Sequence, residues 1–219
     1  MGLDLRLYLV TDRGQGRDRE LLDLVLEAVA GGVGVVQLRE KNSATREFVE
    51  LARALHQRLQ NLGVPLIIND RVDVALAVGA EGVHVGQEDM DPRDVRALVG
   101  PEMYVGLSAQ TEKHMRAAAA LPVDYVGLGP IAATPTKHDA GTPLGISGFS
   151  RLRRLVPLPV VAIGSVSQAN AFDILAYGQA DGVAVVSAVC AAADPRKAAQ
   201  ELLSAVDQGR WHRCREAHG

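Results

Sequence analysis

Aromatic residues make up only 4% of the 219-residue chain, and only two residues are cysteine. So few rings leave no platform on which nucleic-acid bases could stack. Cys190 and Cys214 fit neither a zinc-ligand spacing nor a disulfide framework. An excess of positive charge is also missing. The formal net charge is −3, so no nucleic-acid partner is expected. No apolar run reaches the roughly 20 residues that cross a bilayer, so no membrane partner is expected either. Residues 1–14 mix charged and apolar side chains without a signal-peptide core. Arg6 stands where a myristoylation pattern requires Ser or Thr. These absences lead to the expectation of a cytoplasmic protein.

What is present is an ordinary globular composition, 47% hydrophobic and 22% charged, in a chain long enough to bury a core without cross-links. A short Val/Ile/Leu-rich run followed by a longer stretch with helical periodicity recurs along it. The apolar runs are Leu7–Val10, Val33–Leu38, Pro65–Ile68, Gly82–Val85, Tyr104–Leu107, Tyr125–Leu128, Val160–Ile163 and Val183–Val186. Several lack polar alternation, as expected of parallel strands covered on both faces. Between them, Leu21, Leu22, Val25, Leu26 and Val29 form one helical stripe, and Phe48, Leu51, Leu55 and Leu59 another. A third runs through Val95, Leu98 and Val99. Asp18, Asp91, Thr111, Ser167 and Asp194 are candidate N-caps, two of them followed by proline at the first helical position.

Eight such pairs in one chain predict an α/β fold, a single-domain (β/α)8 TIM barrel over residues 1–208. The open alternative, a dinucleotide-binding sheet, lacks its glycine fingerprint, because residues 11–16 read Thr-Asp-Arg-Gly-Gln-Gly. Residues 209–219 are polar and basic and read as a flexible tail.

A barrel of this kind works at the C-terminal ends of its strands. Gln37-Leu38-Arg39-Glu40-Lys41 falls there after the second strand and Asn69-Asp70 after the third. Asp89 follows the fourth and Ser108 the fifth. Thr134-Pro135-Thr136-Lys137 follows the sixth, Gly164-Ser165 the seventh, and Val186-Ser187 the eighth. Asp70 and Asp89 stand beyond neighbouring strands, which lie about 4.8 Å apart. Two carboxylates about 4 Å apart repel by about 4 kcal/mol at an effective dielectric of 20. Such a pair calls for a cation or a shared proton, and all-oxygen ligands favour Mg2+. The same positions also suit two ordinary helix caps. Arg39, Lys41 and Lys137 would face a metal-bound anion, or else lie solvated at the surface. The hydroxyls and glycines after strands 6 to 8 suit phosphate, and equally suit turns. His84, His138 and Cys190 receive no role, since a lone strand histidine is more often packed than catalytic.

Seven stretches resemble thiamine-phosphate synthases: YLVTD at 8–12, VQLREK at 36–41, INDRVDVALAVGAEGVHVGQED at 68–89, GLSA at 106–109, DYVGLGPI at 124–131, TPTK at 134–137 and DGVAVVSAV at 181–189. The resemblance implies a Mg2+-dependent transferase of thiamine biosynthesis. It would join hydroxymethylpyrimidine pyrophosphate to a thiazole phosphate, releasing pyrophosphate before the thiazole nitrogen attacks. It also implies that Gln37, Leu38, Arg39, Glu40, Lys41, Asn69, Ser108 and Lys137 meet the pyrimidine pyrophosphate. Within that set Arg39, Lys41, Ser108 and Lys137 would be catalytic. Asp70 and Asp89 would bind the metal. Thr134, Pro135, Thr136, Gly164, Ser165, Val186 and Ser187 would meet the thiazole phosphate. One departure stands out: Gly164-Ser165 replaces the Gly-Gly usual in that family. Three rivals remain on the same scaffold. They are a thiazole tautomerase, a non-catalytic binder of thiamine intermediates, and an aldolase using Lys137. Nothing in the sequence sets the oligomeric state.

Overall fold

The computed structural model describes residues 2–16, 19–133 and 141–216. Eight parallel strands pair in chain order, and the last returns to the first. They are β1 (Leu7–Val10), β2 (Val35–Leu38), β3 (Leu66–Asn69), β4 (Gly82–Val85), β5 (Tyr104–Ala109), β6 (Tyr125–Leu128), β7 (Val160–Ala162) and β8 (Gly182–Val185). The strand ends lie within two residues of the expected ones.

The helices among the described residues are α1 (Leu21–Ala30), α2 (Thr45–Gln60), α3 (Val72–Val78), α4 (Pro92–Val99), α5 (Glu112–Ala118), α6 (Gly145–Arg153), α7 (Gln168–Ala176), α8 (Ser187–Cys190) and α9 (Pro195–Glu216). Their starts follow side-chain chemistry. Asp91 accepts from Arg93 N at 2.8 Å and Thr111 from His114 N at 3.2 Å. Ser167 and Asn170 form a reciprocal capping box. Asp194 accepts from Lys197 N at 2.9 Å. Each such cap satisfies an amide that the helix itself cannot. Asp18 lies outside the described residues. The apolar stripes are right in kind, but α1 buries Leu21, Leu24, Val25 and Ala28. Leu98 on α4 faces solvent, 56% exposed.

The flexible tail expected over 209–219 is instead helix as far as Glu216. Apolar patterning misses it because the packing there uses a glycine and two arginines. Gly209 is buried against the backbone of α7, where a Cβ would lie 2.6 Å from Phe172 O. Arg213 donates to Ala180 O at 2.8 Å and Arg210 to Asp181 O at 3.3 Å. These bonds tie α9 to the carbonyls that precede β8.

Strand alternation sorts the core into two shells. Leu7, Leu9, Val36, Leu38, Val83, Val85, Val105 and Leu107 face outward into one cluster with the helices. Each such fully buried aliphatic side chain contributes about 1.5–3 kcal/mol. The alternate residues face the barrel axis, among them Tyr8, Val35, Ile67, Tyr125, Val161 and Ala184. That inner shell is unusually polar. Gln37 is 5% exposed, His84 7% and Tyr125 1%.

The inner shell fits only because glycine occupies β5 at position 106. A Cβ there would lie 2.3 Å from Tyr125 Cζ and 2.4 Å from His84 Nδ1. Gly106→Ala is therefore expected to lower unfolding stability by about 1–3 kcal/mol, the usual cost of overpacking. Urea titration checks this, and an unchanged midpoint would contradict the packing described.

Candidate active site

All eight strands end on one face, where a cavity of about 470 Å3 opens. That size suits a small-molecule ligand. From β2 it receives Gln37, Arg39 and Lys41, and from β3 Asn69 and Asp70. Gln87 and Asp89 reach it after β4, and Ser108 on β5 lies at its wall. Gly164 and Ser165 follow β7, and Val186 and Ser187 follow β8.

The carboxylate pair is built by local backbone geometry. Asp70 adopts φ 62°, a left-handed conformation that aspartate tolerates better than most residues. Its amide is held by His84 O at 2.8 Å. Asp89 folds back so that its Oδ2 accepts from Gly86 N at 2.7 Å. A Cβ at position 86 would lie 2.9 Å from that oxygen. The two carboxyl groups meet. Burial first, and then the neighbouring Asp89, push the Asp70 carboxyl up to about 6, while Lys41 acts in the opposite direction. Among the described residues no cluster of three or more His, Cys, Asp or Glu could hold a metal. Two carboxylates beside Arg39 and Lys41 nevertheless suit a hard cation whose remaining ligands are phosphate oxygens and water.

Some expected site residues are placed differently. Leu38 faces outward and is fully buried under the helices, so its side chain does not reach the cavity. Glu40 is engaged elsewhere, accepting from Ser43 Oγ at 2.8 Å and from Arg13 Nε at 3.3 Å. Thr134, Pro135, Thr136 and Lys137 lie outside the described residues, as does His138. The structure also adds residues that received no role from the sequence. His84, Tyr8 and Tyr125 line the cavity floor, and Gln87 and His114 its wall. One signal for His84 was available. It pairs in register with Asn69 and Gly106, so it shares the inward parity of the other cavity residues.

The sequence model of the thiamine monophosphate synthase family matches residues 7–189. The chain belongs to that family. A thiamine-phosphate synthase of Solidesulfovibrio magneticus is 60% identical over 207 residues, 94% of this chain and 98% of that one. The thiamine-phosphate synthase of Azorhizobium caulinodans is 52% identical, covering 94% and 97%. Among solved structures, a thiamine phosphate pyrophosphorylase from Pyrococcus furiosus superposes with a TM-score of 0.87 at 36% identity, covering 94% of this chain and 98% of that one. A 3-hexulose-6-phosphate synthase, at 17% identity and a TM-score of 0.68, shares the barrel alone.

The Gly-Ser departure has a structural counterpart. Ser165 adopts φ 55°, which costs a non-glycine residue about 1–2 kcal/mol. Its hydroxyl donates to Ala133 O at 2.5 Å, and a bond of that kind returns about 1 kcal/mol. The hydroxyl is thus spent on the backbone after β6 rather than offered to a ligand. Ser165→Ala, which keeps the strain and loses the bond, should melt earlier than wild type by about 1 kcal/mol. Ser165→Gly should stay within about 1 kcal/mol of wild type. Equal losses in the two variants would remove the bond from the balance.

The raised Asp70 carboxyl predicts a pH effect on stability. A carboxyl whose pKa is higher when folded binds its proton more tightly in the folded state. It therefore withdraws stability as pH rises from 3.8 to about 6, and the deficit persists above. With EDTA present, Asp70→Asn should stabilise the protein at pH 8 by about 1 kcal/mol, after discounting for solvent screening at this half-buried group. The gain should shrink as pH falls below about 6 and vanish only at about pH 3, below the ordinary carboxyl value. Paired denaturation curves at the two pH values test it, and a gain at both would point to packing instead.

Proposed function

We propose that this protein is a thiamine-phosphate synthase. It joins 4-amino-2-methyl-5-hydroxymethylpyrimidine pyrophosphate to a thiazole phosphate. The observation that carries the reading is the meeting of Asp70 and Asp89 beside Arg39 and Lys41 at the barrel mouth. A site with two paired carboxylates and two cations suits a polyphosphate delivered with a divalent ion. A site for a neutral ligand would need neither.

In this reading the C–O bond between the pyrimidine methylene and pyrophosphate breaks, and the electron pair leaves with pyrophosphate. The thiazole nitrogen then donates its pair to the methylene carbon and forms the new C–N bond. Arg39 and Lys41 hold the pyrophosphate oxygens as charge gathers on them. Charge stabilisation of this sort is usually the largest contribution to rate. Mg2+, held by Asp70 and Asp89, would supply further neutralisation of that leaving group. Gln37, Asn69 and Ser108 orient the pyrimidine end. Gly164, Ser165, Val186 and Ser187 border the opposite part of the cavity, where the thiazole phosphate would lie. Lys137 and the Thr134-Pro135-Thr136 hydroxyls belong to the same reading by their sequence match.

No helix among the described residues is long and apolar enough to cross a membrane. We place the enzyme in the cytoplasm, acting on small phosphorylated molecules with no nucleic-acid or membrane partner.

Purified protein given both phosphorylated substrates and Mg2+ should form thiamine phosphate and pyrophosphate. Asp89→Ala should lower kcat/KM by at least about 100-fold, and EDTA should abolish turnover. Folded protein that yields no product would overturn the reading. The next assay would then offer thiazole phosphate alone, to look for tautomerisation.

A further inference from the structure

Beneath the cavity a chain of side-chain hydrogen bonds crosses the barrel axis. Gln37 Nε2 donates to Tyr8 Oη at 2.9 Å. Tyr8 Oη lies 2.7 Å from Tyr125 Oη. Tyr125 Oη lies 3.1 Å from His84 Nδ1, and His84 Nε2 lies 2.9 Å from Ser108 Oγ. Both tyrosines are buried, 2% and 1% exposed, and burial pushes both phenols well above their ordinary range. Each therefore carries one proton.

A buried proton without an acceptor is costly, and with Gln37 donating to Tyr8 one direction along the chain pairs every proton. Tyr8 Oη accepts from Gln37, and Tyr125 Oη is the partner in the chain that remains for its own proton. Tyr125 Oη accepts that bond, so its proton goes to His84 Nδ1. A nitrogen that accepts has no proton, so His84 carries its proton on Nε2 and donates it to Ser108 Oγ. The Ser108 hydroxyl, thus supplied as an acceptor, has its own proton left to turn toward the cavity that it lines. The direction hangs on the Gln37 amide, because a reversed amide would reverse every bond and turn the Ser108 proton toward His84.

We infer that His84 and Tyr125 are positioning residues, which hold Ser108 as a hydrogen-bond donor to an acceptor atom of the pyrimidine pyrophosphate. The inference rests on the proposed synthase reading for the identity of that ligand, but the direction of the chain does not. The space for the His84–Tyr125 contact is reserved by Gly106, where a Cβ would overlap both side chains. Apolar residues of similar size would fill the inner shell without the need to satisfy five polar groups.

Two measurements test this. Long-range 15N–1H correlation spectra of substrate-free protein, labelled at its six histidines, report which His84 nitrogen is protonated, with His84→Gln used for assignment. A proton on Nε2 is expected, and a proton on Nδ1 would overturn the inference. The second is a double-mutant cycle in turnover. Tyr125→Phe should raise KM for the pyrimidine pyrophosphate by about tenfold, the loss expected for a hydrogen bond to a charged group. In a Ser108→Ala background the same change should have little further effect. Full additivity of the two losses would show that Tyr125 does not act through Ser108. Tyr8→Phe breaks the chain one bond earlier and replaces Tyr125→Phe should that variant fail to fold. Absence of turnover in wild-type protein would strike the synthase reading and leave the spectroscopic result standing.

Discussion

The strict alternation of side chains along eight closed parallel strands governs everything at this site. Closure leaves no edge and no freedom of register, so each strand must give one set of residues to the helices and the other to a narrow axis. The outward set is aliphatic nearly throughout. The inward set is where the sequence departs from a plain barrel, with Gln37, His84, Ser108 and two tyrosines. Large polar groups on some strands require missing side chains on others, and Gly106 and Gly127 supply that space on β5 and β6. Site and scaffold are therefore the same packing problem. The cavity floor is also the upper layer of the barrel's inner core.

Charge is handled at a different level from that floor. Asp70, Asp89, Arg39 and Lys41 stand at the mouth, where solvent and ligand can reach them. The Asp70 carboxyl is raised, by burial first and then by repulsion from Asp89. A left-handed Asp70 and a loop folded back through the Gly86 amide hold the pair together against that repulsion. The rest of the barrel supplies the stability that this arrangement consumes.

Much of this was legible in the residues. Eight apolar runs of strand length, separated by helical stripes, leave little choice but a barrel. The rule that loops after strands carry function then brought Arg39, Lys41, Asp70, Asp89 and Ser108 to one face. The differences share a physical origin. The end of α9 packs through Gly209 and through arginine–carbonyl bonds, which a hydropathy pattern does not register. Leu38 and Glu40 fall within a matching motif, yet strand parity turns one outward and Ser43 and Arg13 hold the other. His84 was set aside because a lone histidine in a strand is usually structural. It is buried and hydrogen-bonded, and strand parity places it beside Asn69 and Gly106, facing the cavity.

The two levels explain why the floor is built from neutral groups. A charged side chain at the depth of Tyr8 would need its own buried partner. A chain of neutral donors and acceptors avoids that. It carries no net charge and leaves the field of the carboxylate pair unaltered. It can still transmit a direction, because each link has one proton to give. Orientation of the ligand is thereby separated from stabilisation of its leaving group. In the proposed synthase reading, a substitution in the floor should disturb how the pyrimidine is held, while one at the mouth should disturb how readily pyrophosphate departs.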